Sequence, residues 1–292
     1  MSTSLMILIA AITSGTPLLL AALGELVSEK SGVINLGLEG LMLVGALAGF
    51  ATSHYTGNPV LGMLAAGLAG ALLSSVHAML VITLGCNQIV SGLSLAILGS
   101  GLSSFFGQKM IGQTAAGFGH ILMDLDIIVF IAIALTIILR VYLRYTRWGL
   151  NLASVGHNPV VSDASGLNVI RIRYTASIFG GFMAGIGGAY LSLAYTRMWI
   201  DNMVAGKGWI AIAIVIFSMW EPIKTLIGAY LFGAVIAITM RIQASGSQVP
   251  VYILNMFPYI VTIIALIVIT VFENFRRKSG APESIGVAFT RR

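Results

Sequence analysis

Apolar stretches of close to twenty residues recur from one end of the chain to the other, separated by short polar segments. A stretch of that length with few charges is what an α-helix needs to cross the hydrocarbon core of a bilayer. The pattern predicts an all-α polytopic transmembrane bundle of about nine spans, within a range of about eight to ten. The predicted spans are residues 5–27, 33–53, 59–84, 88–106, 126–143, 174–195, 209–220, 223–241 and 251–272.

The seventh predicted span differs from the others in length. Residues 209–220 fall short of the roughly twenty residues that a straight span requires. This segment is predicted to be a broken or half-crossing helix, unless it extends through Lys207 by tilting. Helices of this kind often line pathways through a membrane.

Composition agrees with a membrane protein, since 58% of the 292 residues are hydrophobic and only 9% are charged, with a mean hydropathy of +0.97. The 34 glycines run through the predicted spans, and pairs such as Gly45 with Gly49 favour close helix packing in lipid. Cys86 is the only cysteine, so neither an intrachain disulfide nor a cysteine-based metal site is predicted.

The distribution of basic residues predicts how the chain is oriented. If the loop after Arg140 faces the cytoplasm, alternation of the spans places 12 of the 16 Lys and Arg residues inside. The N-terminus is then outside and the C-terminus inside. The formal net charge of +6 is explained by these loops and the tail, so no nucleic-acid partner is predicted. The inside residues are Lys30, Arg140, Arg144, Arg147, Arg171, Arg173, Lys224, Arg276, Arg277, Lys278, Arg291 and Arg292.

Two domains of unequal size are predicted. Residues 1–275 form the transmembrane domain, which includes a long cytoplasmic loop at 144–173. Residues 276–292 form a polar cytoplasmic tail that contains Gly and Pro, and no structure is assigned to it.

The long loop contains the signals of a short capped helix. Asn158 suits an N-cap, Pro159 suits the first helical position, and Gly166 can end the helix in a left-handed conformation. Asp163 falls within the segment, which spans about seven residues. A helix this short is not stable alone in water, so we expect it to lie against its own protein or a partner. A membrane-surface loop capped for solubility is the alternative.

Four polar residues fall within or at the start of predicted spans. Asn35 and Glu39 are four apart, so they are predicted to share one helix face. Because a carboxylate is costly in lipid, Glu39 is predicted to face a solute pathway or to bond neighbouring helices. Asn87 and Gln88 begin the fourth span, and they offer amide groups to a polar solute or act as helix caps.

Four blocks, in order along the chain, resemble one family of membrane proteins. They are ALGELVSEKSGVINLGLEGLMLVGA, NQIVSGLSLAILGSGL, VGHNPVVSDASGLNV followed by GGFMAGIGGAYLSL, and GKGWIAIAIVIFSMWEP. Together they are similar to the permease subunits of ATP-binding-cassette (ABC) importers for simple sugars and nucleosides, which are related to ribose and branched-chain amino acid permeases. Ala96 stands where such permeases often carry Asn, and this departure leaves the solute open.

The resemblance implies a non-catalytic permease in a bacterial or archaeal cytoplasmic membrane. A cytoplasmic ATPase would bind ATP with magnesium, so this chain would hold no cofactor. A periplasmic or lipid-anchored binding protein would deliver a nucleoside, nucleobase or simple sugar. A second permease would complete the pathway; a different chain is expected, with a second copy of this chain as the alternative. The short helix would couple to the ATPase, and the residues implied are Gly156, Asn158, Pro159, Asp163 and Gly166.

Two other classes of protein remain as alternatives. An intramembrane enzyme is disfavoured because no zinc-binding or nucleophile motif is present, and the chain also lacks a P-loop. A secondary transporter or channel for a small polar solute would explain the spans equally well. It would leave the capped helix without a role, and it would want paired intramembrane charges, for which Glu39 is the lone candidate.

Overall fold

A computed structural model of the protein describes residues 3–122, 124–245, 250–276 and 280–289. Every predicted span corresponds to a helix in this structure, and the long loop contains two more helices. The helices are α1 (Thr3–Lys30), α2 (Leu38–Thr56), α3 (Pro59–Ala78), α4 (Gln88–Gly107), α5 (Ile127–Tyr145), α6 (Arg147–His157), α7 (Pro159–Ala164), α8 (Val169–Tyr190), α9 (Lys207–Phe217), α10 (Pro222–Ala244) and α11 (Val251–Arg276).

Six helical stretches of the described residues are long and apolar enough to cross a membrane. They are Leu5–Lys30, Pro59–Thr83, Gln88–Met110, Ile127–Tyr145, Val169–Tyr195 and Pro222–Ala244. Two of them include a short π-helical segment, Met79–Thr83 after α3 and Leu191–Tyr195 after α8. The structure therefore has fewer clear spans than the nine that the sequence predicts, and the larger number stays a prediction.

The helix α2 falls outside this group although it lies at the centre of the bundle. Glu39 is in its first turn and His54 in its last, which lowers its apolar character. The helix packs against α3, α4 and α8, and Leu41, Met42 and Phe50 are fully buried. A helix surrounded by protein does not need the composition of a lipid-facing helix.

Close approach of small residues holds α2 and α8 together. A Cβ atom on Gly45 would overlap the backbone of Gly185, and one on Gly188 would overlap the carbonyl of Met42. Helices in lipid gain contact area in this way, because the hydrophobic effect does not drive them together there. The tight packing predicted from the small residues is confirmed at this interface.

The helix α9 is short, as the sequence predicts for residues 209–220. It begins at Lys207 and has 11 residues, which corresponds to a length of about 16 Å. This is roughly half of the hydrocarbon thickness. The chain then turns sharply, with positive φ angles at Met219 and Trp220 before α10 begins.

A small β-ladder departs from a purely helical fold. Strand β1 (His120–Leu122) pairs with β2 (Leu125–Asp126) in the antiparallel direction. Asp126 then caps α5, because its Oδ1 accepts from the backbone N–H of Ile128 at 3.0 Å. The hydroxyl of Tyr190 donates to the other carboxylate oxygen at 2.8 Å, which ties this turn to α8.

Two expectations for the predicted cytoplasmic parts are wrong. Only one short helix is predicted in the loop 144–173, but the structure also forms α6 there. No structure is predicted for the tail, but residues 280–289 fold back, and Ala281 and Ile285 pack against the core. The tail residues Arg277, Lys278, Arg291 and Arg292, which are predicted to be inside, lie outside the described residues.

Candidate functional site

The capped helix predicted in the long loop is α7. The Oδ1 of Asn158 accepts from the backbone N–H of Val161 at 3.0 Å, and Pro159 is the first helical residue. At the other end Gly166 has a φ of +87°, and its N–H donates to the carbonyl of Asp163 at 2.9 Å. The N–H of Leu167 donates to the carbonyl of Ser162 at 3.0 Å, which completes a Schellman motif.

One side of α7 lies on its own protein and another side is open. Ser162 is buried, and its hydroxyl is 2.8 Å from the hydroxyl of Ser154 in α6. By contrast, Val160 and Val161 are 67% and 59% exposed. A six-residue helix that is capped at both ends and supported by α6 thus presents an apolar surface outward.

Gly156, the fifth residue predicted to act in coupling, lies in α6 rather than in α7. A Cβ at this position would overlap the carbonyl oxygen of Lys30, so the end of α6 rests directly on the end of α1. Its own carbonyl accepts two hydrogen bonds from Ser284. Gly156 therefore connects the long loop to the first helix and to the tail.

Charged groups that are predicted to be inside meet at the same end of the molecule. Arg140 lies 3.2 Å from Glu221, and Lys224 lies 3.3 Å from the other oxygen of that carboxylate. These groups are between one third and about one half exposed, so each ion pair contributes little to stability. Their position agrees with the predicted orientation, and the side of the membrane stays a prediction.

The predicted shared face of Asn35 and Glu39 is wrong, because α2 begins only at Leu38. Asn35 lies in the turn before the helix, where its Oδ1 accepts from the N–H of Gly37 at 2.9 Å. Its own backbone N–H donates to the carboxylate of Glu25 at 2.8 Å. With 2% of its surface exposed, Asn35 is a buried turn residue.

Glu39 binds the start of α9. Its two oxygens accept from the backbone N–H groups of Gly206 and Gly208, at 2.7 and 2.8 Å. Gly206 has a φ of +83°, and a Cβ on Gly208 would meet the backbone of Glu39 at 2.5 Å. A carboxylate at this place satisfies N–H groups that lack partners in the helix and complements the helix dipole.

The two amides at the start of α4 have different surroundings. Asn87 is exposed and caps the helix, with its Oδ1 accepting from the N–H of Ile89 at 2.9 Å. Gln88 is buried, and its Oε1 accepts from the N–H of Ile34 at 2.8 Å. His77 also contacts Ile34, since its Nε2 lies 3.0 Å from that carbonyl. Gln88 thus supports the same turn as Asn35, whereas Asn87 serves α4.

Sequence reasoning missed two buried carboxylates in α1. Glu25 and Glu29 are 1% and 2% exposed. Glu25 lies inside the predicted span 5–27, so Glu39 is not the lone acidic residue within the predicted spans. The indole N–H of Trp220 donates to Glu29 at 2.6 Å, while Glu25 receives the N–H of Asn35. Their spacing of four residues on one helix was the available signal.

The fold defines a multi-pass membrane protein with a short capped helix at one end of the bundle. A family model described as the branched-chain amino acid transport system / permease component matches residues 7–266. The chain therefore belongs to this permease family. Among solved structures, no significant match to the chain is found.

Three relatives are named as permeases of ABC transporters. The chain is 41% identical to the putative glucose ABC transporter permease protein TsgC13 of Haloferax volcanii, over 80% of this chain and 77% of that protein. It is 33% identical to the guanosine ABC transporter permease protein NupQ of Bacillus subtilis, over 96% and 95% of the two chains. It is 32% identical to the nucleoside ABC transporter permease protein NupC of Lactococcus lactis, over 94% and 93%.

These matches confirm the resemblance drawn from the four sequence blocks. The chain is a permease component of an ABC transporter, a class whose permease subunits are generally non-catalytic, with ATP hydrolysed by a partner subunit. The family favours this reading over an intramembrane enzyme and over a secondary transporter or channel.

Proposed function

We propose that this chain forms part of the pathway through which an ABC importer moves a nucleoside or a simple sugar across a bacterial or archaeal cytoplasmic membrane. The names of the three relatives support these solutes, since they contain the words glucose, guanosine and nucleoside. None of these three names includes a nucleobase, which the sequence also allows as a solute. Both solute classes carry several hydroxyl groups, which suits a pathway with hydrogen-bonding side chains.

The observation that carries the coupling part of this proposal is the exposed apolar side of α7. Val160 and Val161 lie on a helix that is rigid because both of its ends are capped. Two adjacent exposed apolar side chains on a rigid helix form a surface that a protein partner can cover. In the proposal, the ATPase subunit covers this surface and passes its closure to the bundle, while ATP and magnesium stay on that subunit.

The proposed pathway passes the start of α9, where Glu39 lies. A short helix whose N-terminus lies inside the bundle directs its unpaired N–H groups toward the interior. Many transporters use this arrangement to bind a solute. Beside it lies a cleft of about 280 Å³ whose polar lining includes Lys207, Thr239 and Tyr259. Among the four predicted pathway residues, Glu39 is the one nearest to this cleft in the fold, while Asn35, Asn87 and Gln88 support turns and caps around α2 and α4.

The proposal also includes a second permease, preferably a different chain, and a periplasmic or lipid-anchored binding protein on the outer side. A surface suited to another membrane helix is present on α4, where Ile97, Phe105 and Phe106 are 75%, 68% and 61% exposed. Lipid would cover this surface where a partner does not.

Uptake into proteoliposomes tests the proposed function. This chain is reconstituted with its ATPase, its second permease and its binding protein, and accumulation of guanosine and of glucose is measured with and without ATP. We expect ATP-dependent accumulation of one solute class, and none in a matched complex whose ATPase cannot hydrolyse ATP. Uphill transport by this chain without any nucleotide-hydrolysing partner, or no uptake of either class, would contradict the proposal.

A further inference from the structure

We propose that residues 280–289, called here the C-terminal strap, carry the movement of the coupling loop to α1 and α8, with Arg173 as the positioning residue. The proposal rests on the proposed function, because it assumes that α7 contacts an ATPase. It adds a part of the chain that the capped helix alone does not include.

The strap is bonded to the end of α6. The backbone N–H and the hydroxyl of Ser284 both donate to the carbonyl of Gly156, at 2.9 and 2.7 Å. Ser284 is 7% exposed, so these bonds are shielded from water. The same carbonyl belongs to a glycine that rests directly on Lys30. The strap and the end of α1 therefore both contact the coupling loop at Gly156.

The strap is also bonded to the turn between α1 and α2. The N–H of Gly286 donates to the carbonyl of Gly32 at 3.2 Å. Gly32 has a φ of +90°, and a Cβ there would lie 2.6 Å from the hydroxyl of Ser284. Only glycine permits this close approach together with this backbone conformation. The turn is thus shaped to receive the strap.

Arg173, near the start of α8, joins these pieces. Its Nη1 donates to the carbonyl of Val287, its Nη2 to the hydroxyl of Ser284, and its Nε to the carbonyl of Ser31, each at 3.1 Å. The residue is 2% exposed. A buried guanidinium that loses its partners carries a large desolvation cost. Two of these three partners belong to the strap. Loss of the strap would therefore leave the buried guanidinium without most of its partners, and loss of Arg173 would remove two bonds from the strap.

A continuous set of contacts therefore runs from α7 to the bundle. Ser162 of α7 contacts Ser154 of α6, and the carbonyl of Gly156 in the last turn of α6 accepts from the strap. From the strap, Arg173 continues into α8 and the turn at Ser31. Gly280 extends the strap to the sharp turn after α9, since a Cβ there would lie 3.0 Å from Met219. Four elements at the end of the bundle thus meet on one segment.

The strap also borders α7 across an open cleft. This cleft has a volume of about 690 Å³, and Val160 and Val287 line it from the two elements. In the described part of the chain, hydrogen bonds join α7 to α6 at Ser162 and α6 to the strap at Gly156. A push on α7 from an ATPase would therefore reach the strap by way of α6.

The test compares variants in the complete reconstituted importer, with the number of ATP molecules hydrolysed per solute moved as the readout. We expect Arg173→Met and Ser284→Ala each to raise this ratio by at least about fivefold, the low end of typical coupling between sites. Because both residues act through one contact, the double variant should show less than the combined effect of the two single changes. Arg171→Met is the matched control, since this arginine is exposed and lies two positions away.

Loss of assembly is measured separately by the amount of intact complex. If Arg173→Met fails to assemble, the milder Ser284→Ala decides the outcome. An unchanged ratio per assembled complex in Ser284→Ala would overturn the inference. Failure of the proposed function looks different, because the unaltered complex would then show no ATP-dependent uptake at all. Uncoupling by changes in α7, with strap variants that behave like the unaltered complex, would leave the function intact and remove only the strap.

Discussion

A single carboxylate in an apolar helix fixes the start of another helix in this protein. Glu39 in α2 accepts N–H bonds from Gly206 and Gly208, which are 167 and 169 positions further along the chain. These N–H groups have no partner within α9, because the first turn of a helix leaves its donors unpaired. Where water is scarce, such bonds are stronger and their loss is more costly. The position of α9 thus depends on Glu39.

We predict that Glu39→Gln raises the solute concentration needed for half-maximal uptake by roughly tenfold, which corresponds to about 1.4 kcal/mol. The amide keeps one acceptor oxygen but turns an NH₂ group toward the second N–H, so the start of α9 shifts beside the proposed pathway. Uptake kinetics in proteoliposomes measure this effect, with the amount of assembled complex measured in parallel.

The control for this change is Asp201→Asn, which neutralises an exposed carboxylate in the connection between α8 and α9. It should leave the uptake kinetics unaltered. If Glu39→Gln instead lowers the amount of complex while the assembled fraction transports with normal affinity, Glu39 is a structural cap and does not border the pathway.

Residues that act over short distances along the chain could be predicted from the sequence. Asn158 caps an N–H three positions away, and Gly166 ends the same short helix, so local rules found both. The partners of the Asn35 backbone N–H and of Glu39 could not be predicted, because they belong to α1 and to the start of α9. A single sequence shows that a polar group in an apolar helix must have a hydrogen-bond partner, but it does not show which distant residue that partner is.

At the scale of elements, α6 is the helix that the sequence analysis missed. Its sequence contains Gly149 and Gly156, which lower helix propensity. Two signals favoured a helix. Thr146 caps it, because its hydroxyl oxygen accepts from the backbone N–H of Gly149 at 3.2 Å. The spacing of the apolar residues Leu152 and Val155 is also helical. Packing decides the outcome, because Leu152 and Val155 are fully buried.

We predict that the combined change Val161→Pro and Asp163→Gly lowers solute uptake by at least about tenfold while ATP hydrolysis continues. Proline removes the N–H that Asn158 caps, and glycine loosens the last turn, so α7 no longer forms a rigid body. Uptake and phosphate release are measured on the same proteoliposomes.

A change of an exposed apolar residue in the neighbouring helix serves as the control for α7. Leu150 in α6 is 69% exposed, so Leu150→Ala should alter neither activity. Normal transport by the α7 double variant would show that this helix does not transmit the action of the ATPase. Loss of both activities without insertion would point to a defect in folding, which the amount of membrane-inserted protein reveals.

At the scale of the whole molecule, burial is uneven among the spanning helices. In the most apolar part of α8, 78% of residues are buried inside the bundle, whereas in α5 the share is 28%. Glycine contacts and polar bonds join the interior helices, whereas the exposed apolar sides of the outer helices suit contact with lipid. Hydropathy describes the contact with lipid, so it identifies α5 better than α2, whose surroundings are protein.

The orientation of the whole chain can be tested on its single cysteine. Cys86 is exposed in the turn before α4. This turn lies at the same end as Arg173, because the neighbouring Thr83 contacts Tyr174 through their hydroxyls, 2.5 Å apart. The positive-inside bias places that end in the cytoplasm. We therefore predict that a membrane-impermeant maleimide does not label Cys86 in intact cells and labels it after permeabilisation.

Asp201→Cys in a Cys86→Ser background is the matched test of the opposite end, because Asp201 is exposed in the connection between α8 and α9. It should be labelled in intact cells, since an odd number of crossings separates the two positions in the predicted topology. Labelling of Cys86 from outside would reverse the orientation and move α7 away from any cytoplasmic ATPase. Labelling of both cysteines from outside would instead mean that one of the segments between them does not cross the membrane. Among these segments α8 is the least expected to fail to cross, because its buried glycine contacts fix it within the bundle.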